Sequence, residues 1–324
     1  MSMNSTKSLL VNSMMIGVII TICSNNWISM WMGMEVSLIS FIPLMLGNKK
    51  NTSQSMIKYF IMQTVASTMF LFSVICMLVG DSMTNEMFMM ISMLMKLGVA
   101  PFHSWVLMVI EPLELSAMFI MLTVLKIPPL AILYQINTSM LNYPIIMSML
   151  VSSISSLNQS SLRKMMGFSS IYNISIMVMS INSLKVSMVF IMIYSMNMFM
   201  LISVMENMKA NFINQLMVNE FSLWVKLNLW INMLSMAGFP PLMGFIPKLM
   251  VAQLLILNNQ MLLVSIMMMT SMLILMFYTR MVFSSMLTSQ TQKKWTICYT
   301  KPMHFLMSIN IMMTTLSMTF NSLA

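Results

Sequence analysis

The sequence predicts an all-α polytopic membrane protein of about eleven transmembrane helices, and three observations carry that prediction. Of its 324 residues, 59% are hydrophobic and 7% charged, with a mean hydropathy of +0.87, a balance outside that of water-soluble domains. Apolar residues run continuously through blocks able to cross a hydrocarbon layer of roughly 30 Å, without the in-and-out alternation of barrel strands. The links between blocks are short, so no separate soluble domain fits, and residues 1–324 read as a single transmembrane domain.

The blocks fall at about 8–22, 26–46, 56–80, 86–106, 113–136, 143–157, 166–183, 186–205, 222–257, 260–288 and 303–320. The first, SLLVNSMMIGVIITICS, follows a lysine as a signal peptide would, but it lacks a small-residue cleavage site and leads directly into the next block. It reads as span one. The block at 222–257 is long enough for two short helices, and the charges arbitrate. Counted as one interrupted span, it leaves Lys7, Lys49, Lys50, Lys58, Arg163, Lys164, Lys209, Lys226, Arg280, Lys293, Lys294 and Lys301 on or near the N-terminal side, with Lys185 opposite. Counting two would carry the 293–301 cluster across the membrane and spoil the asymmetry that orients such chains. Eleven spans follow, with the N-terminus on the positive-inside face. The net charge of +9 is then a matter of orientation, not of nucleic-acid binding. The 53 methionines serve as pliable apolar filler.

Several chemistries are excluded. Cys23, Cys76 and Cys298 are scattered, and His103 and His304 stand at no ligand spacing to them, which rules against iron–sulfur clusters and zinc. No phosphate loop, dinucleotide fingerprint or nucleophile elbow is present. No cofactor or metal is expected on this chain.

Four ionisable residues remain deep inside spans: Glu35, Lys96, Lys126 and Lys248. Each lysine costs about 2.5–3.5 kcal/mol at mid-membrane on an insertion scale, so something must offset the set. A static account would pair Glu35 with one lysine and let the other two reach carbonyls or interfacial water; three lysines with a glutamate point instead to an ion or proton path. The helix breakers support this. Gly98-Val99-Ala100-Pro101 in span four has the same form as Gly238-Phe239-Pro240-Pro241 in span nine, and each has a lysine nearby. Proline removes an amide donor and opens the helix, which a membrane tolerates only where protein or water satisfies the freed backbone. Spans four and nine are five apart, and a five-span repeat is inverted relative to its partner. Two inverted five-helix repeats, about 8–137 and 143–288, each with one broken helix, and a final helix at about 303–320 are therefore expected.

The stretches NNWISMWMGMEVSLISFIPLM with Glu35, SMLMKLGVAPFHSWV with Lys96 and His103, LKIPPLAILYQI with Lys126, SSLNQSSLRKMMGFSSI, and LSMAGFPPLMGFIPK with Lys248 closely resemble, in this order, the antiporter-like subunits of mitochondrial NADH:ubiquinone oxidoreductase, respiratory complex I. The resemblance spans nearly the whole chain. It implies an antiporter-like fold in the mitochondrial inner membrane with a matrix-side N-terminus, packed against lipid and other membrane-arm subunits, including neighbouring antiporter-like ones. Animal forms lack three N-terminal helices of the fuller fold. NADH, FMN, iron–sulfur clusters and ubiquinone are expected in other subunits.

By position, the resemblance makes Glu35 the partner of Lys96, Lys126 the centre of a hydrated axis, and Lys248 the lysine of the second broken helix on the exit side. Burial disfavours an ammonium ion and a nearby carboxylate favours it, so a changing Glu35–Lys96 distance would tune the lysine's hold on its proton. His103, two residues past Pro101, would either line the hydrated break or bond a freed carbonyl. Glu111 and Glu114 read as a solvated or partner-facing loop. Leu107-Met108 and Val124-Leu125 depart from residues the family often carries there, which puts the local packing in question. Two other readings stand beside this one: a stand-alone cation/proton antiporter subunit, and a structural spacer whose charges pair statically.

Overall fold

A computed structural model describes residues 5–47, 50–80, 82–136, 139–218 and 223–287. Among them every regular element is helical, and Ser161 and Phe212 form an isolated antiparallel bridge. Six stretches are long and apolar enough to cross a membrane: Ser5–Cys23, Trp27–Leu44, Asn51–Val79, Leu115–Ile136, Leu184–Met208 and Met261–Phe283. The chain is a multi-pass membrane protein. Its contacts divide it into two compact units, Met1–Ser148 and Met149–Ala324.

The first unit begins with α1 (Ser5–Cys23), α2 (Trp27–Leu44) and α3 (Lys50–Val79). The backbones of α1 and α2 meet at two glycines. A Cβ on Gly33 would lie 2.6 Å from Thr21 Cγ2 and 2.8 Å from the Gly17 carbonyl, and one on Gly17 would lie 2.7 Å from the Ser37 amide. Only glycine permits that approach, the usual means of joining helices in lipid. Next come α4 (Ser82–Leu97) and α5 (Ser104–Ile110), separated by an irregular break, then α6 (Leu115–Leu122), a 3-10 turn at Val124–Lys126, α7 (Ile127–Ile136), a 3-10 turn at Ser139–Leu141, and α8 (Asn142–Ser156), which carries the chain into the second unit.

The stretch Leu115–Ile136 answers to the span expected at 113–136, and a 3-10 turn interrupts it just before α7. Pro128 and Pro129 lack the amides that would bond the carbonyls of Val124 and Leu125, so the helix cannot run through them. It restarts at Ile127 with both prolines in its first turn, where missing donors cost nothing. Lys126 therefore ends a 3-10 turn.

The second unit contains α9 (Leu162–Met179), α10 (Leu184–Met208), α11 (Ile213–Val218), α12 (Leu223–Ala237), α13 (Phe245–Leu257) and α14 (Met261–Leu287). Every residue of α9 from Met165 to Met179 is buried, and shielding from lipid lets this helix carry Ser169, Ser170, Asn173 and Ser175. Lys226, expected at the membrane surface, is only 6% exposed. Helix α12 starts at Leu223, which places the lysine in its first turn on an inward face. The expected final helix at 303–320 lies outside the described residues, as do Lys49, Lys293, Lys294, Lys301, Cys298 and His304.

Candidate functional site

The site grows out of how two helices end. At α4, Gly98 takes φ +71°, a conformation that side chains disfavour. Its amide donates to the carbonyls of Leu94 (2.9 Å) and Met95 (3.2 Å), and the Val99 amide reaches the Leu94 carbonyl at 3.2 Å. This is a Schellman closure, which satisfies the carbonyls three and four residues back from the glycine and leaves the last two exposed. Side chains from elsewhere in the unit take them. Gln63 Nε2 lies 3.5 Å from the Lys96 carbonyl, and Lys126 Nζ donates to the Leu97 carbonyl at 2.6 Å. Trp105 Nε1 adds a second donor to the Met95 carbonyl at 3.1 Å.

The second unit repeats the solution. Gly238 takes φ +82°; its amide donates to the carbonyls of Leu234 and Ser235 at 3.1 Å each, and Phe239 closes on Leu234 at 3.1 Å. The carbonyl of Ala237, the last residue of α12, accepts from Lys248 Nζ at 2.5 Å. Each amine also lies 5.3 Å from the centre of an aromatic ring, Lys126 over Trp105 and Lys248 over Tyr172. A bare buried carbonyl costs about 1–3 kcal/mol, and an unpaired buried ammonium costs more. Each lysine–carbonyl contact removes both penalties. The negative end of a helix dipole and a ring face add attraction for the cation.

Lys96, 5% exposed, occupies the last turn of α4. The expected ion pair with Glu35 is not formed: Lys96 Nζ lies 3.4 Å from Met34 Sδ, while Glu35 Oε1 is buried without a hydrogen-bond partner. Lys96 and Lys126 line one cavity of about 20 Å3 together with Ser37, Tyr59, Gln63 and Trp105. That volume admits about one water, so a single molecule can stand between groups of the two lysines. Lys248 belongs to the other unit. His103 lies at the break, its Nδ1 buried and without a partner; of its two readings, bonding a freed carbonyl is the one left without support, since donors from Trp105, Gln63 and Lys126 hold the carbonyls of Met95, Lys96 and Leu97. Glu114 meets Lys7 at 3.9 Å, both side chains about half exposed, a surface pair worth at most about 1 kcal/mol.

Gln63, Trp105 and Tyr172 belong to the site although no role was expected of them. The signal for Gln63 was present: an amide within the apolar span 56–80 must bond something inside the protein. Tyr172 and Trp105 carried no such mark, since aromatic residues are ordinary in apolar helices.

Comparison with known proteins places this geometry. A model of the transmembrane region of the NADH:quinone oxidoreductase/Mrp antiporter family matches residues 24–84 and 79–274. NADH-ubiquinone oxidoreductase chain 2 of Anopheles gambiae is 35% identical over 294 residues, 86% of this chain and 85% of that protein. The rabbit (Oryctolagus cuniculus) chain 2 is 31% identical over 335 residues, 96% of each. Among solved structures, a chain of respiratory complex I from Thermus thermophilus with bound aureothin superposes with a TM-score of 0.84 at 17% identity, over 98% of this chain and 78% of that one. The lysine-capped breaks thus sit in the fold of a complex I antiporter-like subunit, and the chain belongs to the NADH:quinone oxidoreductase/Mrp antiporter transmembrane family, alongside the animal NADH-ubiquinone oxidoreductase chain 2 proteins.

Proposed function

We propose that this chain is a core membrane-arm subunit of respiratory complex I, coupling electron transfer from NADH to ubiquinone to proton translocation. It carries no redox group itself; flavin, iron–sulfur clusters and quinone belong to partner subunits. Its place is the mitochondrial inner membrane, with the N-terminus facing the matrix, eleven spans in all, and one antiporter-like domain built of two inverted five-helix repeats. Identity of 31–35% to chain 2 proteins over most of the chain favours this assignment over a stand-alone antiporter.

The proton relay uses Glu35, Lys96, Lys126 and Lys248, with His103 lining the first break. One observation carries it: two buried amines, in different units, are held on the terminal carbonyl of an interrupted helix. A carbonyl accepts a hydrogen bond and cannot take the proton, so it stores a charged lysine without discharging it. Discharge requires a second acceptor, and the cavity shared by Lys96 and Lys126 has room for the water that would serve. When a charge disturbance in the neighbouring subunit changes the field of Glu35, Lys96 yields a proton toward Lys126, and Lys248 makes the last exchange.

Replacing Lys126 with Met in the assembled complex and measuring proton uptake in reconstituted vesicles tests the relay. The expected result is retained NADH oxidation with fewer protons moved per electron pair. An unchanged ratio removes Lys126 from the path.

A further inference from the structure

The cavity that Lys96 and Lys126 share in the first unit is also lined by a hydroxyl that the four-residue relay does not use. Tyr59 stands on α3 one turn before Gln63, so their side chains share a face of that helix, and both border the cavity. Tyr59 is buried. Its ring packs edge-on against Phe41, with 5.3 Å between centroids, and against Trp105 at 6.0 Å. Trp105 is itself tied to the Met95 carbonyl and carries the Lys126 amine over its ring. Two aromatic contacts thus restrain the phenol, and one of them is the residue that seats Lys126.

The other donors of the lining are committed. Ser37 Oγ donates to the Met34 carbonyl at 2.7 Å, Gln63 Nε2 faces the Lys96 carbonyl, and Trp105 Nε1 faces that of Met95. The Tyr59 hydroxyl donates to no group among the described residues. A water that carries a proton from Lys96 to Lys126 must turn one lone pair to the Lys96 amine and one O–H to the Lys126 amine. Neutral Lys126 can accept that proton while it keeps an N–H on the Leu97 carbonyl, because an uncharged amine has a lone pair. A donor on the second lone pair of the water turns both of its O–H bonds away from Lys96, and buried water is ordinarily held by about three such bonds. Tyr59 is the donor left to supply it. The charge of Glu35 acts both on this hydroxyl and on the Lys96 amine, so a change at Glu35 bears on two of the groups around the water.

We propose that the Tyr59 hydroxyl binds and orients the water through which Lys96 and Lys126 exchange a proton. This rests on the reading of the two lysines as proton carriers. One N–H proton leaves Lys96 Nζ for the water oxygen, and one proton of the water passes to the lone pair of Lys126 Nζ. Lys96 is left neutral, Lys126 charged, and the water whole. Tyr59 keeps its own proton throughout and is a positioning residue.

The test uses the intact complex and Tyr59→Phe, which keeps the ring against Phe41 and Trp105 and removes only the oxygen. In a high-resolution map of the native complex, a water is expected within hydrogen-bonding distance of Tyr59 Oη, and in Tyr59→Phe it is lost. In vesicles the variant is expected to slow coupled turnover by about tenfold or more, given that a misplacement of about 1 Å can cost roughly a hundredfold, and to raise the solvent deuterium isotope effect as the proton step becomes limiting. A dry native cavity, a water retained in the variant, or unaltered turnover overturns the proposal. Slowed turnover with an unaltered isotope effect also overturns it, because loss of packing alone would do that. Lys126→Met measured alongside separates the two ideas: if it lowers the proton-to-electron ratio and Tyr59→Phe leaves turnover unaltered, only the positioning role fails, whereas if neither variant has an effect, the relay itself fails. Should Tyr59→Phe not assemble, the native map decides: a water bonded to Tyr59 Oη between the two amines supports the proposal, and a dry cavity or a water out of reach of Tyr59 overturns it.

Discussion

At the scale of single residues, the site is a matter of which donor meets which carbonyl. Trp105 illustrates it, because its indole N–H and its ring face serve different partners: Nε1 donates to the Met95 carbonyl and the ring lies under the Lys126 amine. Trp105→Phe keeps an aromatic face and removes the donor. Because the Gly98 amide still bonds that carbonyl, it is expected to cost about 0.5–1.5 kcal/mol of stability, read as a lower midpoint for thermal inactivation of the purified complex, with the proton-to-electron ratio less affected than in Lys126→Met. An equal loss of pumping in both variants would mean that the indole donor, beyond fixing the α4 terminus, positions the amine. Lys126 and Lys248 were recognisable from the sequence because a charge deep in an apolar span demands explanation. Their partners were not, because any backbone carbonyl can accept and only the folded chain shows which one is left over.

At the scale of elements, proline and glycine decide where lysines stand. The breaks at residues 98 and 238 were legible, since a glycine followed by proline within three residues reads as a helix stop. The interruption ahead of Lys126 was passed over because Pro128-Pro129 follows the lysine, and its effect is felt upstream, on the turn whose carbonyls lose their donors. An interior proline costs a helix about 3 kcal/mol relative to alanine. Replacing both Pro128 and Pro129 by Ala is therefore expected to let α6 and α7 join, rotating Lys126 away from the Leu97 carbonyl. The variant should assemble and oxidise NADH while pumping fewer protons per electron pair; a map of the variant showing the 3-10 turn intact would place its cause elsewhere in the chain. The same logic explains α9: its Ser169, Ser170, Asn173 and Ser175 lower its hydropathy, yet it is the most enclosed helix described, because polar side chains in a membrane protein belong where protein surrounds them.

At the scale of the whole molecule, orientation can be tested directly. Cys23, at the end of α1, is exposed, and Lys7 lies near the start of the same helix. A membrane-impermeant maleimide is expected to label Cys23 in mitoplasts and to leave it unlabelled in inside-out vesicles; the opposite pattern reverses the assigned N-terminal side. The sequence by itself determined that the chain is helical and membrane-spanning, because continuous apolar blocks leave the backbone no other way to satisfy its hydrogen bonds in lipid. It also singled out Glu35, Lys96, Lys126 and Lys248 as charges inside apolar spans, because a buried charge is costly in any arrangement, but it missed Lys226, which is buried as well. Only the tertiary structure decided what each charge touches: Lys96 meets the Met34 thioether instead of Glu35, and two lysines far apart in sequence each close a helix end of the same design. The reason is that the cost of a buried charge is local and can be read residue by residue, whereas its compensation comes from carbonyls, rings and cavities that only packing brings within reach.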